Sequence, residues 1–349
     1  MKKVIIYIVV IVGTVGLAGC KDQKIEFPDY TLQAVYFPIQ LPLRTLSLGE
    51  DRIDNSLDKE LKFDIGVSIG GMYENSKDWT VDYVVADTLT NNVYNQVGEK
   101  ILPLPSNYYT LSPANTAVIP KGSFSGMIRV QLTNQFLDDT LAISGHYVIP
   151  LRITGTSADS ILRGFAAVKN PDIRVADDWE AGKLPRDWVM FGIKYINAYH
   201  GSYLHRGMDI RYQGGVPVDT AIYHKRFVER DQIWEMKTIA KAKVVTNGIG
   251  NNTSTTGKYA MELEFTNVTG SSGAIVIKPR KGSLYSVSGT GQYFDRASSV
   301  EGYMGLIFQS MHLIYSYTEG AYTHQVKDTL IFRDRGIKFE QLSVVVTKP

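Results

Sequence analysis

The densest cluster of chemistry-bearing side chains runs from Trp188 to Tyr212 and includes Tyr195, Tyr199, His200, Tyr203, His205 and Arg206, with Gly201 and Gly207 as turn residues. Aromatic faces stack on the apolar faces of sugar rings while imidazole and guanidinium groups reach hydroxyls, so such a set suits a carbohydrate surface. Trp188, Tyr199, His200, Tyr203 and Arg206 are its leading candidates for ligand-binding residues. Tyrosines on strands also pack across a sheet with their hydroxyls at its edge, and these residues fit that role as well.

Other chemistry fails on spacing. A Gly-x-Ser-x-Gly elbow would expose a nucleophilic serine on a strained turn, but Gly122-Ser123-Phe124-Ser125-Gly126 puts Phe124 at the nucleophile position. His-Glu-x-x-His and the phosphate loop ending in Lys-Ser or Lys-Thr are missing from the sequence. His200 and His205 would face opposite sides of a strand and could not share one ion. No catalytic residue, metal or cofactor is therefore assigned. Asp177, Asp178 and Glu180 remain the acidic set from which a hydrolase would have to be assembled, although they also suit a turn.

The elements that must position these residues read as strands. Gly 31, Tyr 21 and abundant Thr, Val and Ile favour strands and tight turns. Ile128, Val130 and Leu132 alternate with Arg129 and Gln131, and Tyr147, Ile149, Leu151 and Ile153 share one face, as in half-buried antiparallel strands. Longer strands follow at Val189–Ile196, Met208–Tyr212, Tyr259–Phe265, Met304–Tyr317, Gln325–Phe332 and Ile337–Val346, the last two joined by a hairpin turn at Gly336. Ile233–Val245 is read as strand although its Lys and Ala residues also suit a helix. The expected fold is all-β: an immunoglobulin-like β-sandwich over residues 31–168, then an antiparallel β-barrel or sandwich over 169–349, with closure favoured because it removes exposed edges. The net charge of +2 is scattered without a basic run, which excludes nucleic acid as an expected partner.

The chain opens with Lys2 and Lys3, an apolar run from Val4 to Leu17, and Leu17-Ala18-Gly19-Cys20 before a polar stretch. That run is too short to cross ~30 Å of hydrocarbon as a helix, and it reads as a signal peptide over residues 1–19. Its ending resembles a bacterial lipobox, which implies that Cys20 becomes a lipidated N-terminus held in a membrane and that residues 20–30 form a tether. Cys20 is the single cysteine, so the chain forms no internal disulfide.

Four segments resemble a family of Bacteroidota surface lipoproteins without an assigned function. They are Phe27-Pro28-Asp29-Tyr30 with Val35-Tyr36-Phe37-Pro38; Arg44-Thr45-Leu46 with Asp54-Asn55-Ser56-Leu57-Asp58; Leu104 to Leu111 with Ile119-Pro120-Lys121-Gly122; and Asp328-Thr329-Leu330 through Arg333 to Glu340. The first half looks like the immunoglobulin-like module that precedes catalytic domains in some Bacteroides endo-glycosidases and also occurs without an enzyme. The second half looks like a lipocalin-like β domain. The resemblance implies non-catalytic capture of an oligo- or polysaccharide at the outer-membrane surface, within a polysaccharide-utilisation system. The endo-glycosidase acidic motif Asp-x-x-Asp-x-Asp-x-Glu has its nearest match at Asp51 to Asp58, which lacks two of the four acids; Asp54 and Asn55 there suit turn hydrogen bonds. A structural or adhesin-like subunit that contacts an outer-membrane protein is the alternative, and a glycoside hydrolase with an unrecognised site is the third.

Overall fold

The computed structural model describes residues 29–50 and 54–347. The signal segment, Cys20, most of the tether and Asp51 to Ile53 lie outside the described residues.

The first unit is a two-sheet sandwich. One sheet orders β11 (Ser160–Ile161), β1 (Ala34–Tyr36), β3 (Lys62–Gly70), β9 (Ser125–Leu132) and β7 (Tyr109–Ser112). The other orders β26 (Glu340–Gln341), β2 (Pro42–Ser47), β12 (Trp188–Ile196), β10 (Tyr147–Thr156), β4 (Trp79–Val85) and β8 (Thr116–Ile119), with β6 (Leu102–Pro103) paired to β10. Strict alternation along β3 sends Phe63, Ile65, Val67 and Ile69 into the core between the sheets, where Phe63 stacks on Phe191 at 5.1 Å. β12 and β10 are buried on both faces: Trp188, Met190 and Val148 face a second cluster with Val93 and Leu342. A strand covered on both sides needs apolar residues at every position, which explains the unbroken run Val189 to Ile193. Its outer cover includes β5 (Val93–Asn95) paired with β27 (Val344–Val346).

The sheet pairing differs from the expected division at residue 168. β12 hydrogen-bonds between β10 and β2, so the sandwich continues to Ile196. The expected strand Ile337–Val346 is also corrected: the chain leaves the barrel after Asp334, and only β26 and β27 form, both on the sandwich. Gly336 does take φ +67, but it serves this exit rather than a hairpin.

The second unit is a closed barrel of eight strands, in the order β13 (Gly201–Gln213), β15 (Gln232–Ala240), β16 (Lys243–Thr246), β19 (Met261–Thr269), β20 (Ser272–Pro279), β21 (Val287–Phe294), β24 (Ser310–Glu319) and β25 (Tyr322–Asp334). Pairing of β25 with β13, from Tyr203↔Phe332 to Gln213↔Tyr322, closes it. Eight strands enclose a lumen that side chains can fill, and Tyr203, Trp234, Leu263, Leu313 and Leu330 fill it here. β13 pairs with β15 only up to His205; from Gly207 its edge is taken by β14 (Val216–Tyr223), which extends beyond the closed wall. A short hairpin, β17 (Gly248–Ile249) with β18 (Asn252–Thr253), tucks Ile249 into the lumen.

Buried Arg335 joins the two units: its guanidinium donates to the Glu50 carbonyl, the His200 carbonyl (2.7 Å) and Gln309 Oε1. Asn197 adds bonds to the Ala240 and Lys243 carbonyls at 2.9 Å. This junction holds the Gly201 end of the barrel and leaves the Gln213 end pointing away.

Candidate functional site

The structure distributes the five sequence-derived binding candidates among packed environments rather than on one open platform. Trp188 lies in the second sandwich cluster. Tyr199 and Tyr203 belong to the barrel core: Tyr199 stacks flat on Phe265 at 3.5 Å, and Tyr203 is 0% exposed, donating to the Tyr199 carbonyl at 2.9 Å and accepting from Gln309 at 2.7 Å. His200 accepts from the Thr238 amide at 3.1 Å, and burial, reinforced by Arg335, Lys194 and Lys237, pushes its pKa down to about 4. Arg206 is half-buried and pairs with Asp231 at 2.7 Å. The physical reason is parity: alternate residues of β13 enter a lumen that needs large apolar rings to fill it, and Tyr203 takes an inward position.

The other acidic candidates also have structural partners. Asp54 accepts the Ser56 amide at 3.0 Å in an Asx turn, and Asn55 donates to the Ser47 carbonyl at 2.9 Å. Asp178 is buried against the Asp172 amide, and Glu180 pairs with Lys183 at 2.7 Å.

A different cluster forms at the barrel mouth away from the sandwich, on inward positions of β13, β24 and β25 and on the loops before β19 and β21. Four rings run in series: Tyr259 and Tyr285 at 6.0 Å, Tyr285 and Tyr317 at 5.0 Å, Tyr317 and His324 at 4.3 Å with their planes 12° apart. His324 Nδ1 lies 2.7 Å from Asp209 Oδ2, which also accepts the Tyr317 hydroxyl at 3.2 Å. The Tyr285 hydroxyl donates to Glu319 on the rim. Arg211, two residues beyond Asp209 on the same face, pairs with Asp219 of β14 at 3.1 Å and lies 4.7 Å from the Tyr322 ring centroid.

Beneath this mouth sits a buried polar layer. Asp328 accepts the hydroxyls of Tyr223 and Tyr315, both at 2.6 Å, and His205 Nε2 lies 3.1 Å away. His205 in turn stacks on Trp234 at 4.1 Å. Gly207 makes the space: a Cβ there would stand 2.2 Å from Asp328 Oδ1. Gly250, at φ +53, turns the β17–β18 hairpin so that its amide donates to the Tyr315 hydroxyl at 2.7 Å. Burial first, and the neighbouring carboxylates second, hold Tyr223, Tyr315 and Tyr317 well above the usual phenol range. Burial and the bond to Glu319 push Tyr285 up to about 12. All four phenols therefore remain donors at physiological pH.

The hydrogen bonds of the mouth leave three buried polar atoms over. Asp209 Oδ1, Arg211 Nε and His324 Nε2 are buried and have no hydrogen-bond partner among the described residues. Each such group costs about 1–3 kcal/mol unless something satisfies it. Hollows elsewhere include a 530 Å³ groove on the sandwich beside Leu43 and Phe191, and a 560 Å³ groove on the outer barrel face beside Met208 and Ile210. Neither is lined by a ring stack. Among the described residues no group of three or more His, Cys, Asp or Glu side chains is placed to hold a metal ion.

Comparison with known proteins follows the same two units. One family model, described as an N-terminal domain, matches residues 28–160, and another, described as a domain of unknown function (DUF5627), matches residues 198–336. A solved Bacteroides ovatus structure of unknown function is 33% identical, the match covering 91% of this chain and 100% of that one at a TM-score of 0.79. The chain belongs to that protein's family. Family membership accords with the all-β architecture and with the Bacteroidota resemblance seen in the sequence. A Bacteroides thetaiotaomicron structure described as an auxiliary nutrient binding protein is 14% identical over 83% of this chain and 90% of its own, at a TM-score of 0.39. Another B. ovatus structure of unknown function is 15% identical over 89% of this chain and 99% of that one, at 0.42. Superpositions at those scores carry no functional argument. No curated protein matches the chain.

Sequence reading missed the mouth because its residues come from four separated segments. The available signal was period two: Asp209-x-Arg211, Tyr315-x-Tyr317-x-Glu319 and Tyr322-x-His324 place polar and aromatic residues on the faces that should be apolar inside a barrel.

Proposed function

We propose that the chain is a lipid-anchored, non-catalytic glycan-binding protein of the outer-membrane surface, with the sandwich presenting the barrel mouth outward. The observation that carries this reading is the ring series Tyr259–Tyr285–Tyr317–His324 beside buried polar atoms that lack partners. The partly exposed rings Tyr259 and Tyr285 supply faces for sugar C–H groups, and a carboxylate, guanidinium and imidazole supply both hydrogen-bond senses that hydroxyls need. Lys2 to Cys20 support the lipid anchor, and the four segments that resemble Bacteroidota surface lipoproteins support the setting in a polysaccharide-utilisation system. Affinity gels and a glycan array with the soluble protein from Lys21 onward test the ligand. Retention of a glycan by wild type and loss in Tyr285→Ala is the expected result; retention by neither refutes it. Fractionation with a Cys20→Ser variant tests the anchor: release into the soluble fraction is expected, and unchanged membrane association contradicts it.

A second reading, contact with an outer-membrane protein, draws on β14. That strand leaves one edge unpaired and exposes Val216, Val218 and Ile222 at 62%, 48% and 68%. Cross-linking of a membrane partner through β14, without glycan retention, would favour it.

A further inference from the structure

We infer that the barrel mouth captures the end of a glycan chain, with two neighbouring hydroxyls of the terminal ring held between Asp209 Oδ1 and Arg211 Nε. This rests on the carbohydrate reading above and adds the mode of recognition.

The first support is that the mouth leads nowhere. Tyr315, Leu313, Leu263, Trp234 and Ile249 lie below it, each 3% exposed or less, so a chain cannot thread the lumen. The second is a gradient of exposure from rim to floor: the side chains of Glu319 and Asp219 are 54% and 53% exposed and Arg211 41%, whereas Asp209 and His324 are 12% and 9% exposed. A mouth whose side chains grow less exposed toward its polar groups suits one terminal ring end-on, while an internal recognition site needs an open cleft along which the chain can continue in both directions. The third is complementarity. Asp209 Oδ1 accepts and the Arg211 Nε–H donates, and the two residues share one face of β13 with their backbone positions about 7 Å apart along the strand. Adjacent sugar hydroxyls each donate and accept, so such a diol satisfies both atoms at once. Entry requires the long rim side chain Glu319 to turn aside, with release of the Tyr285–Glu319 bond, while Arg211 keeps its pairing with Asp219.

The test begins with an array of plant, yeast and mucin glycans, followed by calorimetric titration with a size ladder of the series that binds, from disaccharide to long polymer. One protein bound per chain at every length, with affinity per chain levelling off within the first few sugars, is the expected result. Stoichiometry rising in proportion to chain length would overturn end-on capture while leaving the carbohydrate reading intact. Failure of every glycan on the array to bind would overturn both. Asp209→Asn should weaken every member of the ladder at least tenfold without changing stoichiometry or the melting temperature by more than a few degrees. Unchanged affinity in a folded Asp209→Asn protein would overturn the diol grip.

Discussion

Tyr317 and His324, on neighbouring strands of the barrel, stack with centroids 4.3 Å apart and share the Asp209 carboxylate oxygen, at 3.2 Å and 2.7 Å. The pair thus fixes Asp209 through one oxygen and leaves the other for something else. His324→Ala removes a ring from the series and a donor from Asp209. It should lower glycan affinity by roughly tenfold to a hundredfold, about 1.4–2.8 kcal/mol; titration calorimetry against the array's best glycan measures it, and an unchanged affinity would place the site elsewhere.

Tyr199 provides the opposite control. Its ring lies flat on Phe265 and edge-on to Tyr293 inside the barrel core. Tyr199→Ala should cost about 3–5 kcal/mol of stability, read as a lowered denaturant midpoint, with glycan affinity of the remaining folded protein unchanged. A stable variant that selectively lost binding would restore Tyr199 to the ligand site.

His200 makes stability pH-dependent. Its Nδ1 accepts from the Thr238 amide and its folded pKa is about 4, below the unfolded value of 6.5. Between those values the unfolded chain binds the proton and the folded one does not, so this contribution is complete above pH 6.5 and is lost as pH falls toward 4. The loss is on the order of a few kcal/mol. Melting temperatures across pH 4–7 should fall less steeply in His200→Gln than in wild type; parallel curves would contradict the assignment.

Gly207 tests the polar layer. A methyl group there would meet Asp328 Oδ1, the Lys327 carbonyl and the Tyr223 ring within 3 Å. Gly207→Ala should destabilise the barrel by about 1–3 kcal/mol through overpacking and detach Tyr223 from Asp328. A lowered barrel melting transition and a shift in the tyrosine near-ultraviolet signal are expected, and neither would change if the layer were loosely packed.

The all-β class was legible because alternation survives in isolated strands such as Phe63 to Ile69, and barrel closure was a sound inference from edges that needed cover. Ile233–Val245 also reads correctly as strand, since β15 and β16 form its hairpin. The division between units was not legible. β12 looks like the beginning of a new domain because it follows the linker-like stretch of Gly, Ser, Ala and Asn from Thr154 to Pro171, yet it is paired between β10 and β2 in the middle of a sandwich sheet. The aromatic run from Trp188 to Tyr212 consequently spans two sheets and three hydrophobic clusters, and spacing along the sequence carries no information about which ring faces which. The mouth depends on register across β13, β25 and β24, where Arg211 is opposite His324 and Tyr317 is opposite His324. Those pairings are set only when the barrel closes.

The central claim is that the ring series at the barrel mouth holds a glycan, and titration of wild type and Tyr285→Ala side by side with the best array ligand tests it most directly. Tyr285 is only partly buried at the edge of the barrel core, so its removal leaves the core largely intact. Saturable binding by wild type and at least tenfold weaker binding by the equally folded variant is the predicted result. Equal binding by both proteins, or none by wild type, would contradict it.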